Sequence, residues 1–174
     1  MSTQKEIRLS GSGGQGLILA GVILAEAALL DGKQAVQSQS YGPEARGGSS
    51  KAEVIISDDE IDFMKVQKCD MLLCLTQAAY DKYGKDFTRV LILDESISMK
   101  YPEPEKVVRI PILDTAADKL GKPMVSNIVA LGAVNGVMDF VSRESLLKAV
   151  ISRVPKGTDD LNKLALESGY DLIH

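Results

Sequence analysis

The chain has 174 residues, is 45% hydrophobic and carries a formal net charge of -4, with no Trp and only 5% aromatic residues. These values suit one compact α/β domain, residues 1–174, rather than two small ones. They argue against a nucleic-acid partner, which calls for a basic face or, for single strands, a platform of aromatic side chains.

Residues 7–10 read as a short first strand, followed at once by Gly11-Ser12-Gly13-Gly14-Gln15-Gly16. The next stretch, residues 15–30, is built from Leu, Ile and Ala with almost no polar face, and predicts a buried helix. Gly21 and Glu26 interrupt it, and it falls short of the about 20 apolar residues that span a bilayer. With no basic start and apolar run to mark a leader, the expected compartment is the cytoplasm, with no membrane partner. Asp31-Gly32 ends the helix, Gly32 being able to take the left-handed cap conformation.

Residues 35–39 and 51–57 predict the second and third strands. Ser57-Asp58-Asp59-Glu60 has the spacing of a capping box and predicts a short helix after it, with the acids in its first turn. Residues 71–75 and 90–93 are near-continuous apolar runs, as in central parallel strands. Thr76 is placed to cap the helix between them, and residues 107–110 form a sixth strand. From Leu113 onward the pattern is helical, broken at Pro123 and Pro155. Asp159 and Asp160 follow Thr158 as a second acidic helix start. Ala130, Gly132, Ala133 and Gly136 form a stripe of small residues that permits close packing against another helix or subunit.

Cys69 and Cys74 fall in the fourth-strand run. Read as strand residues, an offset of five puts them on opposite faces and roughly 16 Å apart, which suits buried free thiols rather than a disulfide or a shared metal. The single histidine is His174, the last residue. A histidine base or a multi-histidine metal site therefore has no material here, and the acidic pairs bring no further ligands at metal-site spacing.

Two motifs carry functional weight. Gly11, Gly13 and Gly16 have the G-x-G-x-x-G spacing, after a strand and opening a helix, where glycines allow close backbone approach and helix N–H groups face an anion. A strand-to-helix turn with no ligand gives the same pattern. The dinucleotide version also expects an acid about 20 residues on, at the end of the second strand. Gln37, Ser38 and Gln39 stand there instead, and Asp31 lies at the wrong end, which disfavours NAD and leaves a phosphate, CoA or a neighbouring subunit. The second motif is Tyr41-Gly42-Pro43-Glu44-Ala45-Arg46-Gly47-Gly48. The link from the second to the third strand is too short for a helical crossover, so those strands pair as an antiparallel hairpin. That topology brings the hairpin tip to the sheet edge of the glycine loop. Arg46 suits bidentate pairing with a carboxylate or phosphate; a solvated surface turn with a Glu44–Arg46 pair is the alternative.

The glycine string, then Ala20-Gly21, then Ser38-Gln39-Ser40-Tyr41 running on to Gly48, resembles the gamma subunit of the pyruvate, ketoisovalerate and 2-oxoglutarate:ferredoxin oxidoreductases. Residues 127–132, Asp160-Leu161-Asn162, Ala165 and Gly169-Tyr170 are similar to that family's C-terminal helices. The hairpin-tip string leans toward the 2-oxoglutarate type. The resemblance implies a Rossmann-like three-layer α/β sandwich, with a mostly parallel sheet, the antiparallel hairpin of strands 2 and 3, and a helical C-terminal part. It implies a subunit inactive alone, working with alpha and beta subunits (and optionally a delta subunit) that hold thiamine diphosphate and iron–sulfur clusters and pass electrons to ferredoxin. The chain itself has no thiamine motif and no four-cysteine run. Carried over by position, Gly11, Gly13, Gly14, Gln15, Gly16, Tyr41, Glu44 and Arg46 would line the subunit junction and help to accommodate CoA, none of them catalytic. A stand-alone nucleotide-binding oxidoreductase and a purely structural assembly subunit are the competing readings.

Overall fold

The computed structural model describes residues 4–40, 49–101, 105 and 107–173. Strand β1 (Lys5–Gly11) alternates strictly: Ile7 and Leu9 go into one core, while Arg8 and Ser10 face the other side. Five further strands join it: β2 (Gln34–Ser40), β3 (Ser50–Ser57), β4 (Met71–Cys74), β5 (Val90–Asp94) and β6 (Val107–Ile110). They form one sheet in the order β2-β3-β1-β4-β5-β6. β3 is antiparallel to both neighbours, and β1, β4, β5 and β6 run parallel.

The helices divide unequally between the two faces. Helix α1 (Leu17–Leu30) packs with α4 (Ser126–Met138), α5 (Arg143–Arg153) and α6 (Asp159–Asp171) over Ile7, Leu9, Val54, Met71, Leu73 and Ile92. On the other face, among the described residues, only α2 (Gln77–Tyr83) contributes a helix, placing Ala79 and Tyr80 on Leu72, Cys74, Leu91 and Leu93. The three layers expected from the sequence are present, with the second helical layer thin. A helical turn, α3 (Ile112–Asp114), widens into a π-type turn over Thr115–Lys119 before the 3-10 turn Pro123–Val125 leads into α4. No described helix is long and apolar enough to cross a membrane.

Caps close several of these elements where the residues allow it. At the end of α1, Lys33 N–H donates to Ala28 O and Gly32 N–H to Leu29 O, both at 3.0 Å, with Gly32 at φ 79. That is the Schellman arrangement, in which a left-handed residue lets the chain turn back over the last carbonyls. Asp31 then does a second job. Its carboxylate accepts from Ser142 N–H (2.7 Å) and from the Ser142 and Ser145 hydroxyls, tying the end of α1 to the start of α5. Thr76 Oγ1 accepts from Ala79 N–H at 3.2 Å and opens α2.

Two expectations are corrected. No helix follows Ser57: its hydroxyl accepts from Asp59 N–H at 3.0 Å and closes a local turn, and Asp58, Asp59 and Glu60 are exposed. A capping box starts a helix only where an apolar stripe follows to be buried. Here Phe63 and Met64 remain 65% and 62% exposed, and the chain is held by Glu6, whose carboxylate accepts from Gln67 N–H at 2.6 Å. The two cysteines also share one side of the sheet. Cys69 precedes β4, so strand parity does not apply to it, and it lies in the same core as Cys74.

The small-residue stripe on α4 meets another helix of the same chain. A Cβ on Gly132 would be driven onto Leu166 O of α6 and lie 3.0 Å from Gly169 Cα; one on Gly169 would strike Val129 O of α4. The two glycines let the helix backbones touch, whereas Gly136 faces the side chains of Tyr170 and Ile173.

Candidate functional site

The glycine turn leaves the carboxyl end of β1, at the edge where open α/β sheets bind ligands. The turn is held from within: Ser12 N–H donates to Gln15 Oε1 at 2.8 Å, so the Gln15 side chain folds back over the loop. A Cβ on Gly11 would collide with that amide and lie 2.8 Å from Leu17 Cδ1. Gly14 (φ 89) and Gly16 (φ 72) are left-handed. Gly13 and Gly14 are exposed, and nothing lies within 4 Å of the place a Gly14 Cβ would occupy. Gly16 caps α1 with no side-chain acceptor, which leaves the first N–H groups of the helix available to a ligand or partner.

Beside the turn lies a cavity of about 460 Å³. Gly14 and Gly16 form one side of it, Leu19, Val125 and Leu161 supply apolar lining, and Lys122 contributes a cation. The starts of α1, α4 and α6 meet there, through Gly16, Asn127 and Thr158. Met124 is 87% exposed at this position.

The hairpin reaches the same edge. Gly11 pairs with Ser50, and Ser40 with Lys51, so the strand ends that lead into and out of residues 41–48 sit beside the glycine turn. Tyr41, Glu44 and Arg46 themselves lie outside the described residues.

Sequence reasoning did not single out two buried polar groups that matter here. Asn127 is 5% exposed and donates from Nδ2 to Gly16 O at 3.2 Å, across 111 positions of sequence. The one local signal was a polar side chain at the first turn of a helix buried nearly all round. Arg8, on the thin face, pairs through Nε with Glu53 at 2.7 Å and through a terminal nitrogen with Asp86 at 2.6 Å, with Tyr83 at 5.3 Å. Burial works against its charge, and the hydrogen bonds to Asp86 and Glu53 outweigh it, so its pKa is raised. Asp94, the acid at the end of β5, is committed to Ser96 and to Leu113 N–H.

Both thiols are poor ligands and poor nucleophiles. Burial pushes Cys69 and Cys74 up to about 12 each, and only the thiolate attacks or binds metal. Among the described residues no three His, Cys, Asp or Glu gather as a metal site would require.

Comparison with known proteins is consistent along the chain. Residues 6–172 match the family model of pyruvate ferredoxin/flavodoxin oxidoreductase. The 2-oxoglutarate synthase subunit KorC of Methanocaldococcus jannaschii is 53% identical over 175 residues, covering 97% of this chain and 94% of its own length. Its counterpart in Methanothermobacter thermautotrophicus is 42% identical over 183 residues, covering 99% and 97%. The crystal structure of the keto/oxoacid ferredoxin oxidoreductase gamma subunit from Geobacter sulfurreducens superimposes with a TM-score of 0.87 at 51% identity, covering 97% of this chain and 98% of that one.

Proposed function

Starting from a chain that belongs to the pyruvate ferredoxin/flavodoxin oxidoreductase family, as the gamma subunit of a 2-oxoacid:ferredoxin oxidoreductase, we propose that it serves a complex of the 2-oxoglutarate type. As one domain of residues 1–174, it packs against the catalytic subunits with its glycine-turn edge. The overall reaction is 2-oxoacid, CoA and oxidised ferredoxin giving acyl-CoA, CO2 and reduced ferredoxin. The assignment to 2-oxoglutarate follows the relatives named as 2-oxoglutarate synthase subunits. Alpha and beta subunits, with or without a delta subunit, are the partners, ferredoxin is met through the complex, and the compartment is the cytoplasm.

Thiamine diphosphate and iron–sulfur clusters, held by the partners, supply the decarboxylation and electron-transfer chemistry. This chain's own donors do not suit a cluster: it has two cysteines, both buried thiols with pKa values pushed up to about 12, where a cluster is held by four thiolates. What the chain contributes is a surface. The open backbone at Gly13 and Gly14, the free N–H groups at the start of α1 and Lys122 favour an anionic group. The apolar walls beside them suit the aliphatic arm that CoA carries.

The observation that supports this reading most is the adjacency of the glycine turn to that 460 Å³ cavity, at the edge where the strands flanking residues 41–48 end. Arg46→Ala and Lys122→Ala, each in the reconstituted complex, test it. Both are expected to raise the KM for CoA without altering the KM for the 2-oxoacid. Unchanged CoA kinetics in both would overturn the CoA part of the proposal, and lost assembly with normal residual kinetics would make the edge purely structural.

A further inference from the structure

The Gly16 carbonyl has two donors. Ala20 N–H reaches it at 3.0 Å as the first turn of α1, and Asn127 Nδ2 reaches it at 3.2 Å from the first turn of α4. Asn127 is buried in a mostly apolar helix, whose other polar members are Ser126 and Asn135, and an unpaired amide there would be costly. Its own Oδ1 accepts from Ile128 N–H at 2.9 Å. The fit against Gly16 is close: a Cβ there would lie 2.6 Å from Asn127 Nδ2 and 3.0 Å from Cγ. Gly16 thus answers two demands, a φ of 72° and room for this amide.

A glycine with no other restraint visits left- and right-handed backbone about equally, so Gly16 does not hold its own conformation. Its N-cap position carries no side-chain hydrogen bond. The Gln15–Ser12 bond stiffens the turn upstream, and Ala20 N–H holds the Gly16 carbonyl only from within α1. Asn127 is the group that reaches across to it from another helix, and both residues line the same cavity.

We propose that Asn127 is a positioning residue for the glycine turn: by gripping Gly16 O it locks the left-handed bend and aims the backbone of Gly13, Gly14 and the start of α1 at the cavity. Its consequence for CoA rests on the junction reading above; the hold on the turn does not. The Asn127→Asp variant keeps the shape and replaces the donor with an acceptor, setting an oxygen against the Gly16 carbonyl. Asn127→Ala removes the group altogether.

The test is hydrogen exchange of the full-length chain, comparing the hydrogen-bonded amides of the turn, Ser12, Gln15 and Ala20, with those of β4 and β5 as an internal reference. Both variants are expected to raise exchange in the turn relative to the strands by about fivefold or more, the effect of losing one hydrogen bond of ordinary strength. A ratio of turn to strand exchange equal to that of the unmodified chain overturns the proposal, even for a variant of lower overall stability. In the reconstituted complex, a raised KM for CoA at constant kcat and constant KM for 2-oxoacid marks positioning rather than a general loss of structure. A loosened turn with an unchanged KM for CoA upholds the hold of Asn127 on Gly16 and refutes the junction reading instead.

Discussion

The contact between α4 and α6 sets a sharp limit on Gly132. In Gly132→Ala the new methyl would be pressed onto Leu166 O, with Gly169 Cα and Tyr170 N each at 3.0 Å. Backbone atoms cannot rotate aside, so α6 must retreat by about 1 Å to reach ordinary contact distance. That loosens Ala165, Leu166 and Tyr170, all buried against α4, and strains the Asn135–Tyr170 hydrogen bond of 2.9 Å. Overpacking of this kind costs about 1–3 kcal/mol, and a backbone obstacle belongs at the upper end. Alanine recovers about 1 kcal/mol of helix propensity over glycine. The net is a loss of about 2 kcal/mol, or roughly 4–8 °C in Tm for a chain of this length. A thermal melt of the isolated chain, followed by circular dichroism, measures it. A variant melting at or above the parent temperature, with complex assembly weakened instead, would show that the stripe serves a partner subunit and that the internal packing is wrongly understood.

Three other outcomes follow from the same structure. With thiol pKa values near 12, only about one Cys in 10,000 is thiolate at pH 8; neither should react with a disulfide reagent until denaturant is added, and rapid labelling of the folded chain would contradict their burial. Asp31→Ala should lower Tm by roughly 2–4 °C, the loss of about 1 kcal/mol expected when a cap is removed. Burial opposes the Asp31 charge, but the hydrogen bonds from Ser145 and Ser142 prevail and hold its pKa below that of an ordinary aspartate. Its stabilisation is therefore full above the ordinary carboxylate range and is lost as pH falls through the lowered folded value; Asp31→Asn should remove that acid-limb term and leave the slope of stability at neutral pH unchanged.

The strands and their topology were legible because they depend on local apolar runs and on a connection too short for a crossover. Gly32 and Thr76 were legible for the same reason, since a cap is decided within a few residues. The failures share a cause. Ser57 to Glu60 has the local signature of a helix start, yet no buried stripe follows to stabilise one. Cys69 was assigned strand parity although it stands before the strand. Gly132 announced close packing without saying that its partner is Gly169. The grip of Asn127 on Gly16 joins residues 111 positions apart, and the Arg8–Glu53–Asp86 group joins three segments. Such pairings arise only once the sheet order is set. Of the proposed junction residues, the glycine turn can be described atom by atom, whereas Tyr41, Glu44 and Arg46 rest on the sequence and on the strand ends that flank them.

The most direct test of this account is an omission experiment on the complex. Thiamine-dependent, CoA-dependent reduction of ferredoxin is measured with the catalytic subunits alone, with this chain alone, and with both combined. The account predicts no turnover by this chain alone, impaired CoA-dependent turnover by the others, and recovery when the chain is restored. Turnover by the isolated chain, or full CoA-dependent activity in its absence, would contradict it.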